Sequence, residues 1–369
     1  MSSNSGYDTS FSQNYHSFTQ VKRPPRIEQY ETVLYDANLN PMGIPASVKQ
    51  SIANNIGSII KYPDIYYTNL RNAIAEYAGT ELSRIFIGNG SPDLLRLFAA
   101  LIKPKKTLLI SPCSTEYGKV MKIYGSEVEY FDLSEEEDYV LNVSELAARL
   151  TDDTDLLIIG NPNNPTSKRI TRDELRFLAG ECKKKNVFLL VDEMYVEFLD
   201  DYEEVTAVPL TDEFDNLAVL RSVSKFFGVP GLRFAYSILN NQELQEVIDV
   251  ITTRNNIATL SAIAGVDMFK DKAYIESSRS TIHTERSLVY LAMAPCRTIK
   301  LFKPDANFML MKILKDDLTS SQVAEHCSRR GIMIRRCDDF RGLGNKYIRF
   351  CFMNPKQNDL MVNTILEIV

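Results

Sequence analysis

The chain has 369 residues, 44% of them hydrophobic and 24% charged, with a formal net charge of −6. That length allows a large core and two domains, and the negative balance gives no general attraction to nucleic acid or to an anionic membrane. No apolar stretch approaches the ~20 residues of a membrane span. The six cysteines (113, 182, 296, 327, 337 and 351) contain no C-x-x-C pair and read as free thiols of a reducing cytoplasm. The three histidines, His16, His283 and His326, are far apart, which argues against a histidine metal site or a Ser-His-Asp triad.

Residues 1–26 are rich in Ser, Asn, Gln and Tyr and lack an apolar h-region, so they read as a flexible leader rather than a secretory signal. A turn-rich segment at 36–43 precedes a helix over 45–60 and a second over 66–78, where Leu70, Ile74 and Tyr77 share a face. Strand 84–87 ends in Gly88-Asn89-Gly90-Ser91-Pro92, with Ser91 as N-cap and Pro92 as the first helical residue. Strands and helices then alternate: strand 108–110, a helix from 115, strand 128–131, a helix from 143, strand 156–159, helix 171–185 and strands 187–191 and 217–220. Thr171 and Glu174 form a capping box for their helix. This alternation predicts an α/β fold with a mainly parallel sheet. Strand 233–239 follows. The pattern changes after 272: helix 272–294, strand 307–313, helix 319–330, strands 332–336 and 347–352 and a helix 356–368 describe a smaller α+β unit.

Lys225 is flanked by Ser222 and Ser224, with Arg233 eight residues on. An amine among hydroxyls and a guanidinium suits an aldehyde cofactor that carries a phosphate: the amine can form a Schiff base while its neighbours hold the dianion. Two further motifs follow buried-type strands. Asn161-Pro-Asn-Asn-Pro-Thr166 comes after 156–159, and Asp192-Glu-Met-Tyr195 after 187–191. Open α/β sheets bind ligands at such strand ends.

In that order, N-P-N-N-P-T, D-E-x-Y and S-x-S-K-x-x-x-x-x-G-L-R resemble the fold-type I enzymes of pyridoxal 5'-phosphate (PLP). Within them the chain is similar to the branch of histidinol-phosphate aminotransferase and threonine-phosphate decarboxylase, from about Tyr35 to the C-terminus. The resemblance implies a large PLP-binding domain over 61–271 and a small domain over 272–369 joined by the segment 27–60. It implies strand 233–239 running antiparallel, and a homodimer with shared active sites.

It also implies roles. Lys225 holds the cofactor and then shuttles a proton at the substrate Cα. Asp192 keeps the pyridine nitrogen protonated. Tyr195 and Asn164 bond the phenolic oxygen. Ser222, Ser224, Arg233 and the backbone amides of Ser91, Asp93 or beyond receive the phosphate. Tyr62 reaches that phosphate from the other subunit, unless it is a turn aromatic packed on Pro63. Arg349 clamps the substrate carboxylate, and Asn38 and Asn307 line the substrate side. Arg335 grips a distal phosphate, unless Arg335 and Arg336 are a solvated pair; if 332–336 is one strand, the two point to opposite faces.

Two positions depart from the family. Ser114 stands where an aromatic usually stacks on the ring, with Tyr117 three residues on. Ser167 stands where glycine commonly closes N-P-N-N-P-T-G. The resemblance implies an aminotransferase acting on a small amino substrate that bears a distal phosphate, as histidinol phosphate does, and on a 2-oxo acid. The alternatives are a decarboxylase of the threonine-phosphate type and, more remotely, a non-catalytic PLP-fold regulator.

Overall fold

Four apolar runs, Lys106–Ser111, Leu156–Gly160, Phe188–Asp192 and Leu217–Ser222, are buried almost throughout. Strands apolar on both faces need helices on both sides, and that requirement organises the molecule. The computed structural model describes residues 32–251 and 255–369. The leader 1–26, His16 and the start of the segment 27–60 lie outside those residues.

In chain order the strands are β1 (Val33–Leu34), β2 (Ile85–Gly88), β3 (Lys106–Ser111), β4 (Glu127–Asp132), β5 (Leu156–Gly160), β6 (Phe188–Asp192) and β7 (Leu217–Ser222). They continue with β8 (Ala235–Leu239), β9 (Ile299–Phe302), β10 (Phe308–Ile313), β11 (Ile332–Met333), β12 (Arg335–Arg336) and β13 (Tyr347–Cys351). The main sheet has seven strands in the order β2-β8-β7-β6-β5-β3-β4. Strands β3 to β7 run parallel, while β8 is antiparallel to β2 and β7, as expected. A second sheet, β12-β13-β10-β9, is antiparallel.

Several expectations shift. The first helix is Ala46–Asn55 and tightens into a 3₁₀ turn over Ile56–Ile60. The helix Ser91–Ile102 is capped by Gly90, so Ser91 is its first residue and not its N-cap. Gly90 sits at φ +83°, a backbone state that costs serine more than glycine. The predicted strand 332–336 divides at Ile334: β11 pairs with β1, and β12 with β13. Helices Gln242–Ile251 and Thr259–Lys270 and strand β9 were not anticipated. The capping box at Thr171 forms, and Thr319 makes another for Ser320–Ser328.

The tips of β6 and β7 are tied by a buried ion pair. Arg221 and Glu193 are 1% and 0% exposed. The guanidinium donates to Glu193 Oε2 from Nε at 3.0 Å and from Nη2 at 2.9 Å. Thr206 Oγ1 donates to the same oxygen at 2.8 Å, and the Ala207 amide donates to Oε1. Removing one member of such a pair strands a charge in the core. Glu193→Ala is therefore expected to lose about 3–5 kcal/mol of stability, read as a drop in the urea midpoint.

Candidate active site

Asp192 ends β6 and is buried. Tyr117, on the helix Thr115–Ile123, donates from its hydroxyl to Asp192 Oδ2 at 2.8 Å, and the Met194 amide donates to Oδ1 at 3.0 Å. Burial pushes the Asp192 carboxyl above its ordinary range, and the Tyr117 bond pulls the other way. A slot opens beside it, lined by Ser114, Tyr117, Pro162, Asn164, Asp192, Met194 and Tyr195. Sequence reasoning did not anticipate Met194, although it is the unassigned residue inside D-E-x-Y. Ser114 does line the slot where an aromatic was missed, and Tyr117 lies in its wall with its hydroxyl on Asp192.

Lys225 follows β7 in a one-turn helix, Val223–Phe226, capped by Ser222. Its Nζ donates to the Ala37 carbonyl at 2.7 Å. Ser222 and Ser224 face each other, with their hydroxyls 3.0 Å apart. Arg233 reaches back to Gly90, where a Cβ would lie only 2.3 Å from its Nη2. Strand β8 sets Gly88 and Ser222 opposite the same residue, Ala235, so the Gly90 turn with Arg233 and the two hydroxyls lie at one end of the sheet, as a cradle. Asp93 is committed to the loop itself: its amide donates to the Gly90 carbonyl at 3.1 Å, and its carboxylate receives the Asn89 amide at 2.9 Å and Asn256 Nδ2 at 3.0 Å.

The substrate side is built by the segment 36–38. Arg349, on β13, donates to Asn164 Oδ1 and, at 2.7 Å, to the Asp36 carbonyl. Asn38 Nδ2 lies 3.3 Å from the Tyr195 hydroxyl, and Asn307 Nδ2 donates to the Asn38 carbonyl at 3.1 Å. Phe308 packs edge-on against Tyr195 and lies under the Arg349 guanidinium. Asp36 Oδ1, Asn38 Oδ1, Asn307 Oδ1 and Arg349 Nε are buried without a hydrogen-bond partner among the described residues. Such a cluster of orphaned groups is costly unless a polar ligand meets it. Asp36, absent from the sequence-based set, has a carboxyl raised by burial against the pull of Arg349, Arg335 and Lys225. Arg335 stands directly across from Arg349 in the β12–β13 register, while Arg336 pairs with Ile348, so the two arginines take opposite faces.

Ser167 adopts φ +62° where glycine is usual. Its hydroxyl receives the Ala306 amide at 2.9 Å, so the side chain ties the N-P-N-N-P-T loop to the residue before Asn307. Tyr62 is not drawn in: it is 85% exposed.

The family described as aminotransferase class I and II matches residues 32–365. The chain belongs to it. A protein of Caldanaerobacter subterraneus subsp. tengcongensis with the provisional name threonine-phosphate decarboxylase is 33% identical over 329 residues, covering 89% of this chain and 88% of the relative. The threonine-phosphate decarboxylase of Salmonella typhimurium is 28% identical over 91% of this chain and 90% of its own. The crystal structure of the histidinol-phosphate aminotransferase from Clostridium acetobutylicum superposes with a TM-score of 0.85 at 29% identity, covering 91% of this chain and 99% of that one.

The fold is therefore fold type I and the cofactor is PLP. The residues fit it: the cradle at Gly90 offers a phosphate site, Asp192 a partner for a ring nitrogen, and Lys225 an amine. Among the described residues no group of three His, Cys, Asp or Glu side chains could hold a metal, and no helix is long and apolar enough to cross a membrane.

A methyl group at Gly90 would collide with Arg233. Gly90→Ala is expected to weaken PLP binding by about tenfold or more, the scale of one lost charge-assisted contact. Titration of apoprotein with PLP, followed by visible absorbance, checks this.

Proposed function

We propose that the chain is an aminotransferase that moves the amino group of a small, distally phosphorylated amino substrate to a 2-oxo acid. The observation that carries this reading is the fixed position of Arg349. Asn164 and the Asp36 carbonyl hold its guanidinium. A carboxylate paired with a guanidinium so held is stabilised as an anion, which opposes its departure as carbon dioxide and leaves the Cα proton as the group to be moved. When bound, PLP supplies an electron sink for the charge left at Cα. Lys225, acting as the free amine, takes and returns that proton; its Nζ donates to the Ala37 carbonyl at 2.7 Å, which positions it. Asp192 holds the ring nitrogen's proton, with Tyr117 and the Met194 amide fixing the carboxylate. Tyr195 and Asn164 flank the phenolic oxygen, and Ser222, Ser224, Arg233 and the amides beyond Gly90 take the cofactor's phosphate. Asn38 and Asn307 face the substrate.

Decarboxylation is the second reading, favoured by the two relatives named for threonine phosphate, at 33% and 28% identity. Incubating holoenzyme with phosphorylated amino acids separates the two. Transamination consumes the 2-oxo acid without releasing carbon dioxide; decarboxylation releases carbon dioxide and needs no 2-oxo acid. Borohydride reduction followed by peptide mapping is expected to find the pyridoxyl group on Lys225, and Lys225→Ala to lose several orders of magnitude in turnover, since it removes nucleophile and proton carrier together.

We further propose a homodimer with shared sites, a large domain over 61–271 with a small one over 272–369 that the segment 27–60 joins, and a cytoplasmic setting, which six free cysteines support. Ile59, Ile60, Tyr62 and Tyr66 are 63%, 85%, 85% and 67% exposed, an apolar stretch suited to a partner surface. A groove between the helices Thr68–Ala78 and Thr259–Lys270 begins beside Tyr62, at Pro63 and Asp64. Sedimentation at micromolar concentration is expected to show a dimer. Mixing Tyr62→Phe with Lys225→Ala protein is expected to restore activity, because each hybrid dimer gathers both lesions in one site and leaves the other intact. A fully active monomer would contradict this.

A further inference from the structure

The basic pair Arg335-Arg336 does not stand free. Arg336 is bonded to Asp338, and Arg335 donates from Nη2 to both oxygens of Asp339, at 2.8 and 2.6 Å. Arg335 also donates to the Arg336 carbonyl at 2.6 Å and lies over the Phe340 ring, 5.1 Å from its centre. Its strand position is directly opposite Arg349, so an anion held by Arg349 has Arg335 beside it and Asp339 already on Arg335.

We propose that Asp339 determines specificity at this site by occupying Arg335 until a doubly charged group of the substrate replaces it. The proposal rests on the substrate class argued above. Asp339 is half-exposed, and ion pairs of that kind are weak. A distal carboxylate offers Arg335 the same single charge and the same two oxygens that Asp339 already supplies, so the exchange gains almost nothing. A phosphate brings nearly two charges and three acceptor oxygens, so for it the exchange is favourable. Asp339 thereby discounts every anion at Arg335 by the same factor, which leaves a phosphate above a neutral side chain and brings a carboxylate level with one.

The test measures dissociation constants of O-phospho-L-serine, L-glutamate and L-glutamine on holoenzyme, from the change in visible absorbance. In the parent, phosphoserine is expected to bind best, and glutamate no better than glutamine. Asp339→Asn is expected to tighten phosphoserine and glutamate about two- to fivefold, the scale of the pair it removes, while glutamine stays in place. In an Arg335→Ala background the same change is expected to do nothing. If phosphoserine is preferred in the parent but Asp339→Asn tightens neither anion, or tightens glutamine equally, the specificity role falls and the substrate class stands. If phosphoserine binds no better than glutamine in parent and variant alike, the substrate class falls and takes this proposal with it.

Discussion

The site depends on one buried ion pair. Asp192 at the end of β6 and Ser222 with Lys225 at the end of β7 come from separate strands, and their spacing is set where those strands stop. Glu193 follows Asp192 directly and Arg221 precedes Ser222 directly; their bond clamps the two tips at the residues adjoining the chemistry. Fully buried pairs gain little net stability against well-packed apolar residues. The backbone ladder fixes the register of β6 against β7 as far as Asp192 and Leu220, and the pair ties together the side chains at its end.

The same economy appears on the substrate side. Arg349 and Lys225 both direct donors at main-chain carbonyls, those of Asp36 and Ala37. These are acceptors, as a substrate carboxylate is. The segment 36–38 therefore fixes both side chains through its main chain, so neither is left mobile.

Much of this was legible in the residues. The buried strands announce themselves as unbroken apolar runs, Leu156 to Ile159 and Phe188 to Val191, and the motifs follow them directly. The strand-to-helix alternation gave the sheet. What was not legible is tertiary. Nothing local marks Gly90 rather than Ser91 as the cap; the reason is Arg233, far along the chain, crowding any side chain at that position. The division at Ile334 depends on which distant strand each half meets, β1 or β13. The helices Gln242–Ile251 and Thr259–Lys270 carry no motif that drew attention to them. Asp36 and Asp339 read as ordinary acidic residues until the fold sets them among arginines.

Ser167 has a mechanical consequence. Its hydroxyl is bonded to the Ala306 amide and its carbonyl to the Asp305 amide, on the loop that leads into Asn307 and β10. The loop carrying Asn164 is thus fastened to the second sheet, which also carries Arg349. A glycine would offer the carbonyl alone. Any shift of the start of β10 is carried to this loop through two hydrogen bonds, at 2.9 and 3.1 Å, so Arg349 on the second sheet and Asn164 on the loop are coupled as the two arms of one lever.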